Sequence, residues 1–384
     1  MIIFPLRKMQ KNQQTSESAM LSRFQVGAVL LPPLIVKSCT VVGGTKGKAD
    51  AFVELVLPGE SEGFRFAVEV KARATPQSVQ LAMAEARVAA AEGEWPMIYV
   101  PFLSSERLAE LEREEVSGVD LCGNGVVVVP GRLYVWRSGA PNQYRDSRPL
   151  SNPYRGRSGM VARMLLQRPR WESLSELTAA VQASGVELSL PQASKAVQAL
   201  DEDLMVSKSA GAIILREPLR LLDKLGSEWR KLRQIGRRDA GGGVSVKIPS
   251  VSPMSLRPSL RLPAGTDWAR ALSSDPSLQW AVSGESSATR YAMFSQGGPR
   301  RLAVSSVSRA IPLLGGTLEP VPNFADVELM ETEEPGFFFS NETDENGIRW
   351  ASRLQTWLEL QSGDARQQDA AKDLRELIIK ETER

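Results

Sequence analysis

The chain has 384 residues, and its 47 lysines and arginines against 45 aspartates and glutamates leave a net charge of only +2. That length allows two or three domains, each with its own core, and a balance so near zero says little about partners. The sequence contains no histidine, which excludes Ser-His-Asp and Cys-His catalysis, HExxH zinc sites and the ββα-metal nucleases, leaving carboxylate–metal chemistry or none. Cys39 and Cys122 lie in different segments with no metal-ligand spacing, so a reducing cytoplasm is expected and a disulfide scaffold is not. No apolar stretch reaches the length of a membrane span and no secretory pattern opens the chain, so no membrane partner is expected.

Residues 1–20 are polar and rich in Gln and Lys, reading as a mobile arm or the start of a helix, with Glu17 at a solvated position. Leu21–Val36 is apolar with a Pro32-Pro33 break, and is expected to supply a helix beside the hairpin that follows.

That hairpin lies between Lys48 and Val79. Asp50 leads into an apolar run, Ala51 to Leu57; a turn follows at Pro58–Gly63, and a second run extends from Phe64 to Val70. Two apolar runs joined by a Pro/Gly turn read as a β-hairpin. The second run ends Val68-Glu69-Val70-Lys71. Alternate side chains of a strand share a face, so Glu69 and Lys71 point one way while Val68 and Val70 point into the core. Asp50, at the start of the partner strand, comes to lie beside Glu69. Two carboxylates and a lysine converging at a sheet end can hold Mg²⁺ and orient a water for attack on phosphate.

Thr75-Pro76 opens a helix as N-cap and first helical residue; the helix runs from Gln77 to Ala91, and a strand follows at Met97–Pro101. Hairpin, E-x-K, helix and strand in this order resemble the PD-(D/E)xK, or restriction-endonuclease-like, family. The resemblance implies Asp50 and Glu69 as metal ligands and Lys71 as the cation that positions the nucleophilic water. A charged sheet edge is the plainer reading of the same residues.

Ser104-Ser105-Glu106 starts a charged amphipathic helix through Glu115, with Leu108 and Leu111 inward. Gly123-Asn124-Gly125 marks a turn between two strands, closed by Leu133–Trp136; Asp120 caps this turn or faces the metal site. Residues 141–159 form a linker rich in Gly, Pro, Asn and Arg, whose arginines (Arg145, Arg148, Arg155 and Arg157) serve solubility or touch phosphates.

Residues 160–238 are expected as a winged helix-turn-helix with a following helix. Three helices (Met160–Gln167, Leu174–Val181 and Gln192–Asp203) precede a wing of Met205–Lys208 and Ala212–Leu215 about Gly211. On the third helix Ala193, Ala196, Val197 and Leu200 pack inward. Gln192, Ser194, Lys195 and Gln198, with Lys208 on the wing, then face solvent or double-stranded DNA. Protein contact is the alternative use of that face. Leu219–Ile235 is amphipathic, with Leu222, Leu225, Trp229 and Leu232 against Lys224, Arg230, Lys231 and Arg233; Arg237 and Arg238 follow, and Gly241-Gly242-Gly243 is a hinge.

Residues 239–384 read as a further α/β domain. Helices are expected at Thr266–Ser273, Ser286–Phe294 and over most of Ile348–Lys380, and strands at Arg301–Val307 and Phe324–Met330. Gly284 and Ser286 suggest a nucleotidyltransferase-like motif, but the paired acidic residues that should follow are absent. The segments beginning Ala281-Val282-Ser283 and Ile348-Arg349-Trp350 resemble the C-terminal part of AbiEi-type antitoxins, repressors in type IV toxin–antitoxin pairs.

The expected architecture is therefore α/β and multi-domain: a restriction-endonuclease-like mixed sheet over 1–140, the linker, the winged helix, and a small antitoxin-like α/β domain. Two functions compete. One is an Mg²⁺-dependent nuclease directed to DNA by its winged helix. The other is a cytoplasmic transcriptional repressor or antitoxin, with a toxin partner and a silent nuclease fold. A homodimer is one assembly left open, since the sequence does not give the oligomeric state.

Overall fold

The computed structural model describes residues 16–42, 49–144, 152–238, 259–294, 297–315 and 325–383, with the backbone alone over 232–238. Arg145, Arg148, the Gly241–Gly243 hinge and the side chains of Leu232, Arg233, Arg237 and Arg238 lie outside the described set. The contacts divide the chain into two compact units, Met1–Pro149 and Leu150–Arg384. The architecture is mixed α/β with one large mixed sheet.

In the first unit a short helix α1 (Glu17–Leu21), capped by Ser16, precedes a hairpin of β1 (Val29–Leu31) and β2 (Leu34–Val41). The run Leu21–Val36, expected as a helix, is therefore mostly turn and strand. Pro32 and Pro33 separate two aliphatic triplets, and a proline inside a helix loses a hydrogen bond and clashes with the preceding turn. The chain instead reverses there, and Leu31, Leu34 and Val36 are buried.

β3 (Ala51–Val56) and β4 (Phe64–Val70) form the expected hairpin. α2 (Pro76–Ala89), β5 (Glu94–Val100), α3 (Ser105–Arg113), β6 (Ser117–Asp120), β7 (Gly125–Val129) and β8 (Leu133–Arg137) follow. The eight strands lie side by side in sequence order. Pairing is parallel at β4–β5 and β5–β6 and antiparallel elsewhere. Parallel neighbours need a crossover, which α2 and α3 supply. Thr75 caps α2 by accepting the Ser78 N–H at 3.2 Å, with Pro76 at the first helical position.

Both faces of the central strands are covered. Phe66, Val68 and Val70 pack on one face with Met20, Phe24, Met97 and Tyr99. Ile98 and Val100 pack on the other against Val79, Ala82 and Met83 of α2 and Leu108 and Leu111 of α3. The packing on this face is close, since a Cβ at Gly118 would lie 2.5 Å from the Leu111 side chain. Alternation along β4 puts Glu69 on the α2 face, under the helix rather than toward open solvent.

The second unit begins with α4 (Gly156–Gln167), β9 (Arg170–Trp171), α5 (Leu174–Ala183), α6 (Leu190–Glu202), β10 (Val206–Ser209) and β11 (Ala212–Leu215). The strands form a small antiparallel sheet in the order β10-β11-β9. Gly211, at φ +88, makes the turn between β10 and β11 in a backbone region that side chains disfavour. α4 starts four residues earlier than the expected Met160, so the end of the expected linker is helical.

α7 (Pro218–Arg238) leads to β12 (Ser259–Leu260), α8 (Trp268–Ser273), β13 (Trp280–Val282), α9 (Gly284–Tyr291) and β14 (Arg300–Val304). α10 (Val307–Leu313), β15 (Val327–Glu331), β16 (Glu342–Thr343), β17 (Arg349–Trp350), α11 (Arg353–Leu360) and α12 (Ala365–Thr382) complete it. These six strands form a mixed sheet in the order β12-β15-β14-β13-β17-β16. Segments expected as separate second and third domains share one core: Val161, Leu200 and Leu225 belong to the same apolar cluster as Phe337, Trp357 and Leu374. Among the described residues no helix is long and apolar enough to cross a membrane.

Candidate active site

The antiparallel register pairs Ala51 with Val68, which sets Asp50 opposite Glu69 at the end of the hairpin. Asp50 Oδ2 accepts the backbone N–H of Val70 at 2.8 Å, anchoring its carboxylate across the strand pair. The Glu69 side chain lies beside the Asp50 carboxyl and is only 5 % exposed. Lys71 Nζ lies 3.4 Å from Glu69 Oε2 and 2.6 Å from Glu85 Oε2. The structure thus brings all three expected site residues together.

Glu85 is a fourth member that the sequence reading missed. Its signal was helical spacing: it follows Ala82 by three residues and precedes Ala86 on α2, beside the buried stripe of Val79, Ala82, Met83 and Ala86. A carboxylate on the margin of an inward stripe faces whatever the helix covers, here the end of β4. Glu17 is exposed, as expected, yet its carboxylate accepts the backbone N–H of Ala72 at 3.3 Å.

The electrostatics follow from this crowding. Burial holds the Glu69 carboxyl up to about 7, and the Asp50 charge and hydrogen bond add to that; Lys71 pulls the other way and Glu85 raises it again. Burial works against the Lys71 ammonium, but the Glu85 hydrogen bond and the charges of Glu69, Glu85 and Asp50 outweigh it and raise Lys71 above the usual lysine value. Lys71 is held charged while Glu69 sits near its midpoint at neutral pH.

A pair of carboxylates at a strand end fits a hard cation such as Mg²⁺, which takes oxygen ligands and keeps several waters. Mutual repulsion of Asp50 and Glu69 is what such a cation would relieve. Among the described residues no group of three or more His, Cys, Asp or Glu is arranged to hold a metal, so Asp50 and Glu69 would have to do so as two ligands.

Asp120 belongs to a turn. Its Oδ1 accepts the N–H groups of Cys122 and Asn124, both at 2.8 Å, and its Oδ2 accepts the Leu103 N–H at 2.8 Å and the Asn124 side-chain amide at 2.7 Å. Cys39 and Cys122 are free, and burial pushes both thiols up, which leaves neither poised as a nucleophile.

On α6, Gln192, Ser194, Lys195 and Gln198 are all exposed, and Ala193, Ala196, Val197 and Leu200 are buried, as expected. Two of the four carry local duties. The Gln192 side-chain oxygen accepts the Ser189 N–H at 2.9 Å, closing a capping box with the N-cap serine. Gln198 Nε2 donates to Glu202 Oε1 at 3.1 Å. Lys208 on β10 is 3.6 Å from Asp201 Oδ2. Of the linker arginines, Arg155 pairs with Glu228 at 2.6 Å and Arg157 with Glu187 at 3.4 Å.

Gly284 and Ser286 have structural roles. Gly284 has φ +60, and a Cβ there would lie 2.8 Å from Arg301 Nη1. The Ser286 hydroxyl accepts the Arg301 N–H at 2.8 Å, tying α9 to β14.

No family model matches the chain, and neither a curated protein nor a solved structure matches it.

Proposed function

We propose that the chain is a DNA-binding protein whose first unit is a PD-(D/E)xK-type nuclease, cleaving DNA phosphodiesters with Mg²⁺. The observation that carries this reading is the meeting of Asp50, Glu69 and Lys71 at one sheet end, on strands joined to the following helix and parallel strand in the order that the resemblance implies. Mg²⁺, when bound, would lower the pKa of a water and offset charge on the phosphate. Asp50 and Glu69 would hold it; Lys71 would orient the attacking water and stabilise the charge that develops on the phosphate oxygens. Glu85 fixes where the Lys71 ammonium lies. The α4–β11 segment, read as a winged helix, would deliver duplex DNA through Lys195 and the exposed face of α6. A cytoplasmic location goes with this reading.

The test is cleavage of supercoiled plasmid by the full chain in Mg²⁺ against the same reaction in EDTA. Nicking that requires the cation and is lost in Glu69→Gln agrees with the proposal; no cleavage of any duplex offered with Mg²⁺ or Mn²⁺ removes it.

A second reading has an observation of its own. Lys71 is nearer to Glu85 than to Glu69, and no three-carboxylate metal group exists among the described residues. Both features suit a silent site retained in a repressor or antitoxin with a toxin partner. Promoter repression by the wild type that persists unchanged in Lys71→Ala, with no cleavage by either, would establish that reading.

A further inference from the structure

Three helices of the second unit leave a pocket of about 290 Å³ between them. α7 contributes Asp223 and Arg230, α11 contributes Trp357 with Gln361 at its C-cap, and α12 contributes Gln368, Lys372 and Arg375. That space is more than a bare phosphate fills. Trp357 and Ala371, both nearly buried, give it an apolar floor.

The close approach of α7 to α11 that forms one wall depends on a glycine. A Cβ at Gly226 would lie 2.7 Å from the Gln361 carboxamide and 2.8 Å from the Trp357 ring. Glycine in a helix interior is destabilising relative to alanine, and here the tight wall accounts for its presence.

The rim carries three cations against one carboxylate. Arg230 is exposed and forms no ion pair among the described residues. Arg375 pairs with Asp223 at 2.9 Å and Lys372 with Asp369 at 2.8 Å. Exposed pairs of this kind contribute little, so both cations can turn to a ligand at small cost. Two guanidinium forks suit phosphate oxygens in bidentate fashion. Gln361 and Gln368 place carboxamides beside the floor, where a ring bearing hydrogen-bonding edges would lie.

We propose that this pocket between α7, α11 and α12 binds a phosphate monoester of a compact polar ring, of the chemical class of a nucleoside monophosphate. Arg230, Lys372 and Arg375 hold the phosphate, and Trp357 with the two glutamines receives the ring.

Calorimetric titration of the full chain with adenosine monophosphate, adenosine and inorganic phosphate tests it. Saturable binding of the monophosphate is expected, with adenosine and phosphate alone each at least about tenfold weaker. Arg230→Gln and Arg375→Gln should each weaken it about ten- to hundredfold, with unchanged thermal melting, while Lys195→Ala on α6 should leave it alone. Arg230 has no ion-pair partner to strand among the described residues, so its variant separates lost binding from lost folding. Absence of saturable binding, equal affinity for adenosine or phosphate, indifference to both arginine variants, or displacement of the monophosphate by duplex DNA would each overturn the proposal.

Discussion

Lys71 stands among three carboxylates, and its closest partner is Glu85 at 2.6 Å. On the proposed reading, Glu85 acts on chemistry through the lysine it holds. Glu85→Gln keeps a hydrogen-bond acceptor but drops the charge, and should lower the rate of Mg²⁺-dependent nicking roughly ten- to hundredfold, as misplacement of a reacting group does. Nicking kinetics measured beside DNA affinity check this, since affinity should not move. The neighbouring Glu69 carries a pH dependence of known sign. Its carboxyl is held at about 7 in the folded chain, above its ordinary value, so the folded state binds the extra proton. The stability this contributes is complete below the ordinary carboxylate range and is lost as pH rises through about 7. In metal-free buffer the melting temperature should fall across that window, and in Glu69→Gln the fall should be smaller. A wild-type profile flat from pH 5 to 8 would contradict it.

Turns and caps set the elements that carry these side chains. Asp120→Ala would leave the N–H groups of Leu103, Cys122 and Asn124 without their acceptor beside α3, at about 1–3 kcal/mol for each that stays unsatisfied. We expect a loss of at least about 3 kcal/mol by urea denaturation, against about 0.5–2 kcal/mol for the N-cap change Thr75→Ala. Much of this layer was legible in the sequence. The hairpin, the Thr75-Pro76 helix start, the strand at Met97–Pro101 and the Asp120 turn each rest on local chemistry, and local chemistry is what a sequence displays. Leu21–Val36 misled because its apolar run alone does not separate a helix from strands; Pro32-Pro33 weighs against the helix, and pairing with β3 completes the strand. Glu85 was missed for a related reason. It lies on a different element from the E-x-K, and fourteen positions separate it from Lys71. On α6 the capping box hides Gln192 from a reading based on exposure alone, although Ser189 and Gln192 at N-cap and N3 are its ordinary signature.

At the scale of the whole chain, the proposed nuclease role of the first unit and the proposed DNA-binding role of the second make separable demands. Lys195→Ala removes one exposed cation from α6 without touching the carboxylate site. It should reduce the slope of log affinity against log salt by about 1, measured by fluorescence anisotropy on a labelled duplex, and leave Mg²⁺-dependent nicking at saturating DNA unchanged. An unaltered slope would mean that this face meets protein rather than DNA. The central claim is that Lys71 works on the scissile phosphate rather than bracing a sheet edge. The direct measurement is plasmid nicking in Mg²⁺ by wild type and Lys71→Ala side by side, with duplex affinity and melting temperature recorded for both. The account predicts a loss of about 10²–10³ in rate, the usual contribution of one preorganised electrostatic group, with affinity and folding retained. Equal nicking by the two proteins, or none by either, would contradict it.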